Sequence, residues 1–256
     1  MVLIETIIVA FSMFSAIPMP HIMWNEKNMK YSLCAFPLIG FVIGACMWVV
    51  YYLSDILLLP EMVTGALFTI IPMLITGGIH MDGFADTSDA LASHMDRDRK
   101  LEILKDPHIG SFAVIKICMY FVVYYALWCS VVQYDVYNAA VIMLSYVLSR
   151  CLSGTAVTAF PMAKNTGLAH TFADASVKGK ARIVLIIETV IVIAVMCVLS
   201  PIGIAMSIAA IVVFIIYRVM SSVQFGGITG DLAGWFLSVC ELMMLAAYLI
   251  SVIYLV

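Results

Sequence analysis

The sequence predicts an all-α protein, a polytopic transmembrane helix bundle. It has about seven full spans plus a short N-terminal helix that is either re-entrant or an eighth span. Two observations carry that expectation. Hydrophobic residues make up 64% of the 256 residues and charged residues only 11%, whereas soluble domains carry ~25% charged residues. A soluble globule of this size cannot hide so much apolar surface, but a lipid bilayer can. The apolar residues also fall into runs near the ~20 residues that a span requires, separated by polar connections of alternating length. No internal repeat or interdomain linker interrupts the chain, so residues 1–256 read as a single membrane domain.

The first helix, Val2 to Ile17, carries Glu5 and is closed by Pro18 and Pro20, so a re-entrant or interfacial placement competes with spanning. Its opening residues lack a basic region and a small-residue cleavage site, and no removable signal peptide is expected. The next run, Ser32–Leu59, is long, and Pro37, Gly40 and Gly44 are expected to bend or tilt it. Further spans are read over Val63–Ile79, Gly110–Val132, Val136–Phe160, Ala181–Leu199, Ile202–Met220 and Leu232–Val256.

The long connections, 18–31, 80–109, 161–180 and 221–231, alternate with the short ones, 60–62, 133–135 and 200–201. Every Lys and Arg except Lys116 and Arg150 lies in a long connection or at its edge, and none lies in a short one. The positive-inside rule therefore puts the long connections in the cytoplasm. Both termini face outward if the first helix spans. The expected setting is the cytoplasmic (inner) membrane. A net charge of −3 provides no basic field for nucleic acid. The seven cysteines, Cys34, Cys46, Cys118, Cys129, Cys151, Cys197 and Cys240, all fall in apolar stretches. They read as small apolar residues rather than as disulfides or metal ligands. The oligomeric state stays open, a homo-oligomer included.

The most informative stretch is Asp82-Gly83-Phe84-Ala85-Asp86-Thr87-Ser88-Asp89. Asp82, Asp86 and Asp89 are spaced i, i+4, i+7 and share one face of a helix. Three neighbouring carboxylates repel one another unless a cation sits among them. A hard divalent cation, Mg²⁺ above all, is the natural occupant, because it takes oxygen ligands, keeps waters and is completed by substrate phosphates. A solvated acidic helix end is the plainer reading. Three features argue against it: charge is scarce in this chain, the cluster abuts an apolar span, and Asp96-Arg97-Asp98-Arg99-Lys100 follows with cations suited to phosphate. Gly77-Gly78 precede the run and allow a helix break or close backbone approach. His80 is a partner that orients a ligand, a base, or an interfacial residue.

Other polar islands are fewer. Leu101 and Leu104 suggest a short amphipathic turn on the membrane surface. Lys105 and Asp106 follow, with Lys105 either touching phosphate or snorkelling. Arg150 lies about ten residues, or ~15 Å, inside its helix and is a functional-site candidate by depth alone. It pairs with an acidic residue or a substrate phosphate, and Glu241, deep in the last span, is a candidate partner. Gln224-Phe225-Gly226-Gly227-Ile228-Thr229-Gly230-Asp231 suggests a nest of backbone donors for a phosphate ahead of a helix. Gly226, Gly227 and Thr229 would form it, and Asp231 is an N-cap or a ligand.

Several ordered blocks then resemble one family. They are Phe14-Ser15-Ala16-Ile17-Pro18-Met19-Pro20, Phe36-Pro37-Leu38-Ile39-Gly40, Gly77 to Ala90, Lys105-Asp106-Pro107-His108-Ile109-Gly110-Ser111-Phe112, the Phe160-Pro161 region, Gly226 to Gly234, and Glu241. In these the chain resembles cobalamin synthase, the adenosylcobinamide-GDP ribazoletransferase family. The resemblance implies a Mg²⁺-dependent membrane enzyme that joins adenosylcobinamide-GDP to α-ribazole or its 5′-phosphate and releases GMP. It assigns the diphosphate-bound metal to Asp82, Asp86 and Asp89, and offers His80 or one of these aspartates as base. Arg97, Arg99, Lys105 and Arg150 are then candidates to neutralise phosphate. The acidic run also resembles that of CDP-alcohol phosphotransferases. Their Asp-x-x-Asp-Gly-x-x-Ala-Arg spacing and second acidic pair are absent here, so shared chemistry is inferred and a shared fold is not. A CDP-alcohol phosphotransferase-like or prenyltransferase-like enzyme, or a small-molecule transporter, are the competing readings. The last fits less well, since transporters often show inverted repeats.

Overall fold

The computed structural model describes residues 2–131, 136–163 and 178–255. Its helices, in order, are α1 (Val2–Phe14), α2 (Glu26–Met29), α3 (Phe36–Ile56, entered through a 3₁₀ turn at Ser32–Ala35), α4 (Glu61–Thr76), α5 (Ile79–Ala92) and α6 (Arg97–Ile103). They continue with α7 (Ser111–Ser130), α8 (Val136–Ala159), α9 (Lys178–Leu199), α10 (Pro201–Met220, extended by a π turn at Ser221–Phe225) and α11 (Gly230–Leu255). Among the described residues, six helices are long and apolar enough to cross a bilayer. The pair α4 and α5 also qualifies when taken together, with a 94° bend between its halves. The protein is therefore a polytopic helical membrane bundle. α1 is apolar but shorter than a span. The expected short connection at 133–135 and most of the expected loop 161–180, with Lys164, Asn165, Thr166, Gly167 and Leu168, lie outside the described residues.

α8 is the buried post of the bundle, with α3, α9 and α11 packed around it, and α11 also packs on α5 and α10. Small residues let these backbones approach, as membrane helix pairs require where lipid is as apolar as leucine. A β-carbon on Gly44 would stand 2.9 Å from the Met143 carbonyl oxygen, and one on Gly40 would overlap the Tyr146 carbonyl. The two glycines thus serve the crossing of α3 and α8, and Pro37 occupies the first turn of α3, where a missing N–H costs nothing. The length of the expected Ser32–Leu59 run is divided between the 3₁₀ entry and α3. At the short-connection end, Ser200 caps α10 through the Ile202 amide (3.3 Å) and reaches Asn138 on α8 (2.7 Å).

The decisive irregularity lies between α4 and α5. Gly77 (φ 65°) and Gly78 (φ 79°) are both left-handed, a conformation that glycine adopts without steric cost. The Gly78 amide closes back on the Met73 carbonyl at 3.0 Å. Two such residues in succession end α4 and launch α5 nearly at right angles. The expected connection 80–109 thus opens with a helix, and the acidic run is helical, as its spacing implies.

Replacing Gly40 by Leu should destabilise the bundle by about 1–3 kcal/mol, because a backbone carbonyl cannot rotate away. Thermal unfolding in detergent checks this. Gly179→Ala, where among the described residues no atom outside the local helix backbone lies within 4 Å of the added carbon, should leave the midpoint nearly unchanged.

Candidate functional site: an acidic helix against a basic clamp

α5 presents Asp82, Asp86 and Asp89 on one side and buries Met81, Phe84, Ala85, Thr87, Ser88 and Ala90 on the other. Asp82 is exposed, and Asp86 and Asp89 are half-buried. The first turn of α11 is brought onto this helix by two glycines. A β-carbon on Gly83 would lie 2.6 Å from the Asp231 carbonyl oxygen, and one on Gly234 would lie 2.9 Å from the His80 carbonyl oxygen and 3.3 Å from Gly83 Cα. The crossing sets Asp231 beside the run, so Asp86 feels the charges of Asp82, Asp231 and Asp89 together. Asp89 packs its carboxylate against Gly110, the residue that opens α7, where no β-carbon would fit.

Asp231 does not cap α11. Thr229 does so, its hydroxyl accepting the Leu232 amide at 3.2 Å, and it also donates to Asp231 at 3.4 Å. Among the described residues, Asp82, Asp86 and Asp89 make no ion pair with a cation. Carboxylates one turn apart on a helix repel, by about 0.2–0.5 kcal/mol per pair where solvent screens them and by more where burial lowers the local dielectric. Hard oxygen donors from two helices suit Mg²⁺ or a similar cation. Among the described residues, no three His, Cys, Asp or Glu side chains converge tightly enough to form a closed cage. An open row of carboxylates fits a cation that keeps waters and is completed by a ligand's phosphates.

Beside this row stands a basic clamp. α6 is capped by Asp96, whose Oδ1 accepts the Arg99 amide at 3.0 Å. It packs on the π turn Ser221–Phe225, where the Lys100 ammonium donates to Gln224 Oε1 at 2.5 Å. The Arg97 guanidinium lies over Gly226, whose β-carbon would overlap it, and Gly226 is left-handed at φ 72°. A β-carbon on Gly227 would fall 2.5 Å from the Ala163 nitrogen. There a short parallel bridge joins Ile228 to Met162, with the Ile228 amide donating to Pro161 O and the Ala163 amide to Ile228 O, both at 2.9 Å. Two of the expected backbone donors are already engaged. The Gly226 and Gly227 amides donate to Ser222 O (3.1 Å) and Ser221 O (3.0 Å). These two glycines serve chain reversal and close approach.

The other predicted residues are placed elsewhere. Arg99 pairs with Glu102 at 2.5 Å, with both side chains more than 60% exposed, a surface pair of little energetic weight. Lys105 is exposed. Asp106 closes a turn, accepting the His108 amide (3.0 Å) and lying 2.8 Å from its Nδ1. The amide and then the ring hold its carboxyl below the usual range.

Arg150 does not face the site's surface. It is 1% exposed and donates to Glu241 Oε1 (2.7 Å), Tyr146 O (2.9 Å) and Ser149 Oγ (3.2 Å). Its guanidinium is 5.8 Å from the Phe36 ring centre, and His80 meets the same ring edge-on at 6.0 Å. Glu241 is thus the acidic partner that the depth of Arg150 demands. This pair braces α8 against α11 beneath the acidic helix. Sequence reasoning missed Lys100 as a buried cation, Gln224 as its partner and Gly110 as the seat of Asp89. It also missed Glu188, a half-buried carboxylate in α9 with one buried oxygen that has no hydrogen-bond partner among the described residues. Nothing in the site uses Glu188.

These features define a membrane enzyme whose polar loops gather acidic and basic groups at one end of a helical bundle. Residues 6–249 match the family model described as cobalamin-5-phosphate synthase. The chain is 43% identical over 244 residues to adenosylcobinamide-GDP ribazoletransferase of Lachnoclostridium phytofermentans, covering 95% of this chain and 92% of that one. It is 33% identical over 242 residues to the Clostridium botulinum (strain Alaska E43) protein of the same name, with 94% and 95% covered. It is likewise 33% identical over 233 residues to that of Listeria monocytogenes (strain EGD-e), with 90% and 91% covered. No solved structure matches. The chain belongs to the cobalamin-5-phosphate synthase family and is a transferase of cobalamin biosynthesis.

Losing one partner of the buried pair should be costly. Glu241→Ala is expected to lower stability by about 3–5 kcal/mol, since it strands a guanidinium. Arg150→Met combined with Glu241→Met should recover most of that loss. Unfolding midpoints of the single and double variants in detergent check it.

Proposed function

We propose that this chain joins adenosylcobinamide-GDP to α-ribazole or α-ribazole 5′-phosphate and releases GMP, with Mg²⁺ at Asp82, Asp86 and Asp89. Asp231 extends that ligand row. The observation that carries the reading is the close crossing of two helices that sets Asp231 near the open row Asp82, Asp86 and Asp89, with the Arg97 guanidinium over Gly226 at the turn that leads into Asp231. A diphosphate needs both kinds of group, and the relatives' shared name supplies the substrate pair.

A hydroxyl of the ribazole attacks the cobinamide-side phosphorus. A new P–O bond forms, the bond from that phosphorus to the bridging oxygen breaks, and GMP leaves with that oxygen. When bound, the metal supplies charge neutralisation at the diphosphate and leaving oxygen. The aspartates hold and orient it. Arg97 would meet phosphate oxygens at the turn, and positioning supplies much of the rate. The attacking hydroxyl's proton goes to a base within hydrogen-bond reach, for which His80 and the run's own aspartates are the candidates. The cytoplasmic membrane is the setting, with the site facing the cytoplasm. The crowding of Lys and Arg on the long connections supports this orientation.

Asp86→Asn should abolish GMP release while the purified protein keeps its elution volume and melts at or above the parent's midpoint. A chelator should silence the parent enzyme and added Mg²⁺ should restore it. An assay of GMP formation from adenosylcobinamide-GDP and α-ribazole in detergent measures both. Near-parental turnover by Asp86→Asn would sink the metal assignment, and turnover of CDP-diacylglycerol instead would move the enzyme to the phospholipid class.

A further inference from the structure

Lys100 is 7% exposed. Its ammonium carries three donors, and among the described residues it has one acceptor, the neutral amide oxygen of Gln224. A buried charge is ordinarily paired with an opposite charge, and this one is not among the described residues. Its place adds the second half of the argument. Gln224 stands two residues before Gly226, whose Cα carries the Arg97 guanidinium. Two cations from one short helix therefore flank one turn. The Gly226, Gly227 and Ile228 amides are already spent on Ser222, Ser221 and Pro161, so beside Gly226 the side chains of Arg97 and Lys100 are the groups placed to meet an anion.

We infer that Lys100 is a phosphate ligand held in reserve. On binding of a diphosphate ester, an anionic oxygen replaces Gln224 Oε1 as the acceptor of the ammonium, while Arg97 takes a neighbouring oxygen. Gln224 is a positioning residue that keeps the ammonium aimed at the turn when no phosphate is present. The inference deepens the reading above and rests on it for the identity of the diphosphate, but not for the existence of the site.

The test measures binding of inorganic pyrophosphate and of GDP to the purified full chain in neutral detergent, alongside donor KM and kcat. Lys100→Met should weaken binding of both by about tenfold or more, the scale of one lost charge-assisted hydrogen bond. Gln224→Glu gives the separating result. It replaces a neutral acceptor by an anion, so the melting midpoint should hold or rise while GDP binding and donor KM worsen by at least about tenfold. Gln224→Met removes the aim and the competing acceptor together, so GDP binding should fall less than in Gln224→Glu. A merely structural contact predicts instead that binding is unchanged in folded Gln224→Glu and falls only with stability. Parental GDP affinity in that variant overturns the inference, even where Lys100→Met fails to fold. If phosphatidylglycerol binding alone falls in these variants, the anion is a lipid headgroup and the diphosphate assignment is wrong. If the parent releases no GMP but its pyrophosphate binding depends on Lys100, the site stands and the proposed reaction falls. If the parent turns over and the variants are indifferent, the reverse holds.

Discussion

The close crossing of α5 and α11 is the constraint on which the site depends. Gly83 and Gly234 face each other with almost no space between backbones. The helices run antiparallel there, with His80 beside Gly234 and Ser238, and Gly83 beside Asp231. A side chain at either glycine would push the helices apart and take Asp231 away from Asp82 and Asp86. Carboxylates repel, so no attraction between them can hold this arrangement. Backbone packing holds it, and the repulsion is stored until a cation relieves it. This is the usual relation between a rigid scaffold and a strained charge cluster, with the strain electrostatic and the scaffold made of glycines.

The same division of labour explains why Arg150 lies underneath the site rather than in it. A lone guanidinium at that depth would be prohibitive in the membrane interior. Glu241 neutralises it, and Ser149 and the Tyr146 carbonyl take further bonds. Such a pair need not add net stability over an apolar core. Its geometry does fix where α8 and α11 stand, and the ring of Phe36 links it to His80. The acidic helix therefore rests on a floor that is charged but neutral in sum, and the net negative field is confined to the face where a cation enters.

Much of this was legible in the sequence because membranes leave few alternatives. Span lengths and the helical spacing of the three aspartates follow from bilayer thickness and the 3.6-residue period. The depth of Arg150 and Glu241 foretold a partner for each. What stayed hidden were groupings between distant segments. Asp231 joins the run only through the glycine crossing, and Lys100 meets a residue 124 positions away. A hydrophobicity pattern records which face of a helix is apolar, not which other helix covers it. The glycine-rich loop shows the limit from the other direction. Its composition fits a phosphate nest, but composition does not reveal that its amides are already bonded to Ser221, Ser222 and Pro161.

That loss of free amides has a consequence for the chemistry. A backbone nest offers fixed dipoles and little discrimination in charge. Side-chain cations on α6 carry full charge and sit on a short helix anchored by one buried ammonium and one guanidinium resting on a glycine. Anion affinity at this turn is therefore tied to the docking of α6, and α6 docks on the π turn that leads directly into Gly226, Thr229 and Asp231. Whatever seats α6 also sets the spacing between the cations and the first carboxylate of α11. The acidic and basic halves are built on two segments, α5–α6 and the π turn with the start of α11, which pack on each other at both the glycine crossing and the Lys100–Gln224 contact.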